Sequence, residues 1–171
     1  MQNQPLNPLE QEGRTLLNKY DADPGPFRPF HYTTEIDVPV VNNGIGRGSI
    51  TTNQQPFVFL RLSHQIIGNT ADPETSGLYQ DGQYTILYKD EMSNYQKEPT
   101  MADILAGSVR SGFISWLPMP LGLAGSRSFY FEIVNRVTRV LSPTADYFKV
   151  AITMHGMADW GELVAPSQGR R

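Results

Sequence analysis

The chain has 171 residues and a formal charge of −3, with 14 Lys and Arg against 17 Asp and Glu, and it contains no cysteine. That length suits one domain with a substantial core, the missing cysteines exclude disulfides, thiolate zinc sites and cysteine nucleophiles, and the lack of a basic stripe leaves no electrostatic footprint for nucleic acid. Apolar residues make up 39% and charged residues 18%, and 15 glycines and 13 prolines accompany Val, Ile, Thr and aromatics, a mixture that favours short strands over long helices. Met1 to Pro5 has no basic segment followed by an apolar one, so no secretory leader is expected. No stretch approaches the roughly 20 apolar residues that cross a bilayer. The expectation is a chain folded in a cytoplasm, without a membrane partner.

Residues 1–29 read as an N-terminal arm, residues 30–160 as the folded domain and residues 161–171 as a polar tail. Within the arm, Asn7-Pro8-Leu9-Glu10 marks a helix start, with Asn at the N-cap, Pro at the first helical position and Glu at the third. Leu9, Leu16, Leu17 and Tyr20 make a narrow apolar stripe, and Gly13 costs the helix about 1 kcal/mol relative to Ala. Pro24, Pro26 and Pro29 then favour an extended segment. Two outcomes are open. The arm is a frayed terminus, or its short helix docks on a neighbouring subunit, where Leu16, Leu17, Tyr20 and Phe27 gain burial that one chain does not offer.

From Phe30 the pattern changes to period two. Phe30, Tyr32, Thr34, Ile36, Val38 and Val40 alternate with His31, Thr33, Glu35 and Asp37, predicting a long strand in which Pro39 marks an edge or bend. Asn42-Asn43-Gly44 is a turn signal, Ile45 to Thr52 a short glycine-weakened strand, and Phe57 to Leu62 a strand apolar on both faces, hence central. A polar loop spans residues 68–82. Tyr84, Ile86 and Tyr88 alternate next, Met101 to Ala106 suggests a helical turn or two, and Val109 to Leu117 another strand closed by Pro118-Met119-Pro120-Leu121. Phe129 to Asn135 and Tyr147 to His155 form the clearest pair, with Phe148, Val150, Ile152 and Met154 on one face. The reading is all-β: a single β-sandwich, jelly-roll-like, with an extended N-terminal arm containing a short helix.

No constellation reaches a catalytic pattern. Glu35 and Asp37 share a strand face, where a solvated pair is the simpler account than an acid/base couple across a cleft. His31, His64 and His155 lack metal-ligand spacing, although a jelly roll is able to gather distant histidines as cupins do. Asp72, Glu74 and Asp81 do not follow an EF-hand pattern. Gly44-Ile45-Gly46-Arg47-Gly48 has neither the spacing nor the following helix of a phosphate loop and reads as a hairpin or bulged strand. No catalytic, cofactor or metal residue is expected, so the cofactor expectation is none. Tyr79, Tyr84, Tyr88 and Tyr95 lie around the long loop, and Trp160 in the tail region is placed at an interface.

Phe30-His31-Tyr32-Thr33-Thr34-Glu35, Asp81-Gly82-Gln83-Tyr84, Met101-Ala102-Asp103, Leu117-Pro118-Met119-Pro120 and Phe131-Glu132-Ile133-Val134-Asn135 together resemble virion structural proteins of tailed bacteriophages. The resemblance implies a β-sandwich assembled in symmetric copies, acting as capsid decoration or cement, or as a neck or tail component. The implied partners are further copies of the chain and the major capsid protein, and the implied location is the virion, assembled in the host cytoplasm. It transfers no site residue. A carbohydrate-binding β-sandwich using the loop tyrosines, Tyr79 among them, with calcium at Asp72 and Asp81 as an open addition, is the expectation from another class, and a cupin-like enzyme a third.

Overall fold

The computed structural model describes residues 8–68, 83–90, 96, 98–102, 105, 116–123, 125–136 and 146–161. Tyr79, Tyr95, the acidic loop residues Asp72, Glu74 and Asp81, and most of the expected 109–117 strand lie outside them.

Helix α1 (Pro8–Ala22) precedes strands β1 (Phe27–Pro39), β2 (Ile45–Thr51), β3 (Phe57–Gly68), β4 (Tyr84–Asp90), β5 (Thr100–Met101), β6 (Trp116–Leu123), β7 (Ser128–Asn135) and β8 (Tyr147–Asp159), and Ala102 and Leu105 are helical as well. They form two four-stranded sheets, in the orders β1-β8-β3-β6 and β2-β7-β4-β5. Among the described residues every strand pairing is antiparallel. The last two strands are central: β8 pairs with both β1 and β3, and β7 with both β2 and β4.

The alternation seen in the sequence decides which side of each sheet is buried. Ile36 and Val38 of β1, Leu62 of β3, and Phe148, Val150, Ile152 and Met154 of β8 point inward. They join Ile50, Tyr84, Ile86, Phe129, Phe131 and Ile133 from the other sheet in one core. Aromatic rings close the space between the layers: Phe59 meets Phe129 edge-on at 5.8 Å, and Tyr84 meets Phe148 at 6.2 Å. The glycine-rich stretch is an ordinary strand, β2, whose Gly46 and Gly48 lie so close to Ile36 and Val38 of β1 that side chains there have no room.

Burial pushes the Tyr88 phenol from 10.0 up to about 12. The folded chain thus prefers the neutral phenol, so this contribution to stability is complete below pH 10.0 and fades as pH rises toward 12. Urea midpoints measured on either side of that window should fall with pH in the native chain, and fall less in Tyr88→Phe.

Two sequence expectations need correction. The strand expected to stop at Leu117 instead runs through Pro118 and Pro120 to Leu123. Proline removes a backbone donor and is tolerated where one side of the strand needs no ladder bond, and β6 is indeed the last strand of its sheet. The segment before β1 is also not an extended arm. Its helix is 15 residues long and lies against β6, with Leu9 and Leu16 buried. The approach is backbone to backbone: a Cβ on Gly13 would sit 2.4 Å from the Pro120 carbonyl oxygen, and one on Gly122 would sit 2.4 Å from the Gly13 nitrogen.

Candidate functional site

The outward face of the first sheet is polar and ordered in rows. Because β1, β8 and β3 are in register, residues far apart in sequence stand side by side. One row is Thr33, Thr153 and Ser63, the next is His31, His155 and Arg61. The Thr33 and Thr153 hydroxyls are 2.9 Å apart. Ser63 Oγ lies 2.7 Å from His155 Nε2 and fixes the orientation of that ring. The His31 and His155 ring centroids are 6.4 Å apart and tilted by 39°.

Over this row opens a hollow of about 440 Å³, lined by Pro29, Phe30, His31, Leu60, Arg61, His155 and Gly156. A register shift between Phe59 and Arg61 marks a bulge at Leu60 beside it. The His155 pKa is lowered, first by desolvation, then by the charges of Arg61 and His31. The neutral imidazole is therefore favoured in the folded chain. Further along the face Glu35 accepts a hydrogen bond from Lys149 at 3.2 Å. That bond, followed by the charges of Glu35 and Asp37, raises the Lys149 pKa. The two carboxylates are exposed and stand on one strand face, with no cleft between them.

Two of the three histidines are thus brought together, and the third is not. His64 faces inward, 2% exposed, with Nδ1 hydrogen-bonded to the Tyr84 hydroxyl. Among the described residues no group of three or more His, Asp or Glu side chains is arranged to hold a metal ion. The sequence reading singled out neither Arg61 nor Ser63. The available signal was Arg61 itself, the single charge within Phe57–Leu62, which marks the outward side.

The residues expected to bind a partner lie mostly at one end of the chain's own fold. Leu16 and Phe27 are buried within the subunit, so neither is an exposed anchor, while Leu17, Tyr20 and Trp160 are half-buried. The Tyr20 ring meets Phe27 edge-on at 5.5 Å, and Trp160 packs 6.5 Å from Phe30. The Trp160 backbone N–H donates to the Pro26 carbonyl at 3.0 Å. Its indole N–H is buried without an acceptor among the described residues. Lys19, in the last turn of α1, forms an ion pair with Asp159, whose side chain is 2% exposed and also accepts the Gly161 N–H at 2.9 Å. Helix, β1 entry and β8 exit are in this way fastened together. Asp159→Ala should cost about 1–3 kcal/mol, because it removes a buried acceptor from two donors, and urea unfolding would read the loss directly.

The outer face of the second sheet has a smaller hollow of about 210 Å³ lined by Arg47, Gly48, Leu87, Lys89, Tyr130, Phe131 and Glu132. Arg47 donates to Glu132 at 2.9 Å beside the 38% exposed Tyr130.

No family model matches this chain, and no curated protein does either.

Proposed function

We propose that the protein is a non-enzymatic structural component of a bacteriophage particle, a jelly-roll decoration protein that binds capsid subunits and further copies of itself. The observation that carries this reading is the strand order. Sheets ordered β1-β8-β3-β6 and β2-β7-β4-β5 fit the wrapping of eight strands into two Greek keys, an architecture used by viral capsid and lectin domains. The sequence resemblance to tailed-phage virion proteins points the same way, and a neck or tail position is the same proposal at another address on the particle.

Contacts across subunit seams would supply the stabilisation, each specific interface burying about 1,200–2,000 Å². One end of the sandwich carries material for such a seam: Val41 (58% exposed) after β1, Ile45 (44%) opening β2 and Tyr147 (38%) opening β8. Mass spectrometry of purified particles should find the chain in fixed proportion to the capsid subunit, and particles that lack it remove the proposal. Deleting residues 1–29 is a poor test, since it takes the core residues Leu9, Leu16 and Phe27 with it. The paired substitution Val41→Ser and Ile45→Thr leaves the core intact and should weaken binding to capsids.

A carbohydrate-binding role has one specific observation in its favour, the exposed Tyr130 beside the Arg47–Glu132 pair, since saccharide sites combine an aromatic face with fixed polar groups. Glycan-array binding lost in Tyr130→Ala would establish it, and an array without binding would dispose of it.

A further inference from the structure

We infer that the hollow over His31, Arg61 and His155 is a binding site for a small phosphate monoester, with the phosphate held by these three side chains. The site stands apart from the assembly reading and survives if the chain is absent from particles. Its case begins with register. His31 of β1 and Arg61 of β3 flank His155 of β8 as its pairing partners on either side, and all three line one open hollow. A tetrahedral oxyanion presents many acceptor lone pairs within a few ångströms. A guanidinium fork with two imidazole N–H donors answers that demand. Ser63, bonded to His155 Nε2, is a positioning residue that holds the ring in place.

The remaining lining suits an organic body. Pro29, Phe30, Leu60 and Gly156 offer apolar surface, and about 440 Å³ is more than a bare phosphate fills. That volume lies in the range of small-molecule sites.

The charges around the row favour an anion. Among the described residues no carboxylate stands in it. The nearest ones on this face of β1 are Glu35, engaged by Lys149 of β8, and Asp37, whose charge Lys149 also feels. Asp159, four residues beyond His155 at the C-terminal end of β8, is buried and held by Lys19 and the Gly161 N–H. From β3 the facing groups are Arg61, Ser63 and Gln65. Burial, followed by the positive charges of Arg61 and His31, lowers the His155 pKa. A bound anion reverses the sign of that field and favours imidazolium, so binding should raise the His155 pKa and tighten as pH falls through the histidine range.

The test is an NMR titration of histidine ring protons in the full chain, with phenyl phosphate, inorganic phosphate, and phenol as the uncharged probe. Phenyl phosphate should shift the His31 and His155 signals and raise the His155 pKa. Inorganic phosphate should do the same more weakly, and phenol should not. Arg61→Gln and His31→Gln should each weaken phenyl phosphate binding about tenfold or more, the loss of one charge-assisted hydrogen bond. Thr33→Ala, in the adjacent row, should leave it unchanged. Silent histidines with both phosphates, a response to phenol equal to that with phenyl phosphate, or full affinity in both variants overturns the inference. Should Arg61→Gln fail to fold, His31→Gln decides alone, because His31 is exposed and outside the core.

Discussion

Gly156→Ala is expected to be the most damaging single-methyl change in the described part of the chain. A Cβ at this position would lie 1.8 Å from the Val58 carbonyl oxygen and 2.7 Å from the Phe57 ring. Relief requires moving backbone rather than swinging a side chain, and the backbone in question is central. Gly156 pairs with Phe30 of β1 on one side and Phe59 of β3 on the other, next to the bulge at Leu60. Overpacking in a well-filled interior costs about 1–3 kcal/mol and occasionally more, and the upper end is expected here because both pairings are strained together. A urea titration should show a large fall in midpoint, with native-state hydrogen exchange fastest in the β8 amides on either side of residue 156. Wild-type stability in Gly156→Ala would mean that β3 approaches β8 less closely than described.

The second large effect has a sign that helix propensity gets wrong. Alanine is better than glycine inside a helix by about 1 kcal/mol, so Gly13→Ala should raise the helicity of an isolated peptide covering residues 8–22. In the whole protein the same change should lower stability by about 1–3 kcal/mol, since the new methyl would meet the Pro120 carbonyl at 2.4 Å and the Gly122 nitrogen at 2.9 Å. Circular dichroism of the peptide and chemical unfolding of the protein would give opposite answers for one substitution. If both rise, α1 does not rest on β6 as closely as the backbone indicates.

Gly13 also shows where reading the sequence stopped. Periodicity reaches only what a few neighbouring residues determine. The inward set Phe148, Val150, Ile152 and Met154 was legible because alternation alone assigns it, and so was the central position of the strand beginning at Phe57. The helix itself was legible from Pro8 and Glu10 in its first turn, while the expected cap, Asn7, lies outside the described residues. By contrast, Gly13 is a defect locally and a contact surface globally, and nothing within a few residues reveals the strand it touches. Strand β6 was hidden because Pro118 and Pro120 signal a break, and only its place at the edge of the sheet makes them acceptable. The row of His31, His155 and Arg61 was out of reach for the same reason. A jelly roll is able to gather distant histidines, but only pairing register, a property of the whole fold, decides that His31 and His155 meet, that His64 does not, and that Arg61 joins them.

The central placement of β7 and β8 also governs when the molecule is able to fold. Strands β1 and β3 have no pairing partner for each other, and β2 and β4 have none either, until residues 128–135 and 147–159 arrive between them. During synthesis the earlier strands leave the ribosome with their apolar sides uncovered, and the last-made pair completes both sheets almost at once. Such long-range closure belongs to the slow regime of milliseconds to seconds, and a nascent chain stalled before residue 128 would hold only the β3–β6 and β4–β5 pairings, a species prone to aggregation. Residues 128–159 thus supply the step that commits both sheets.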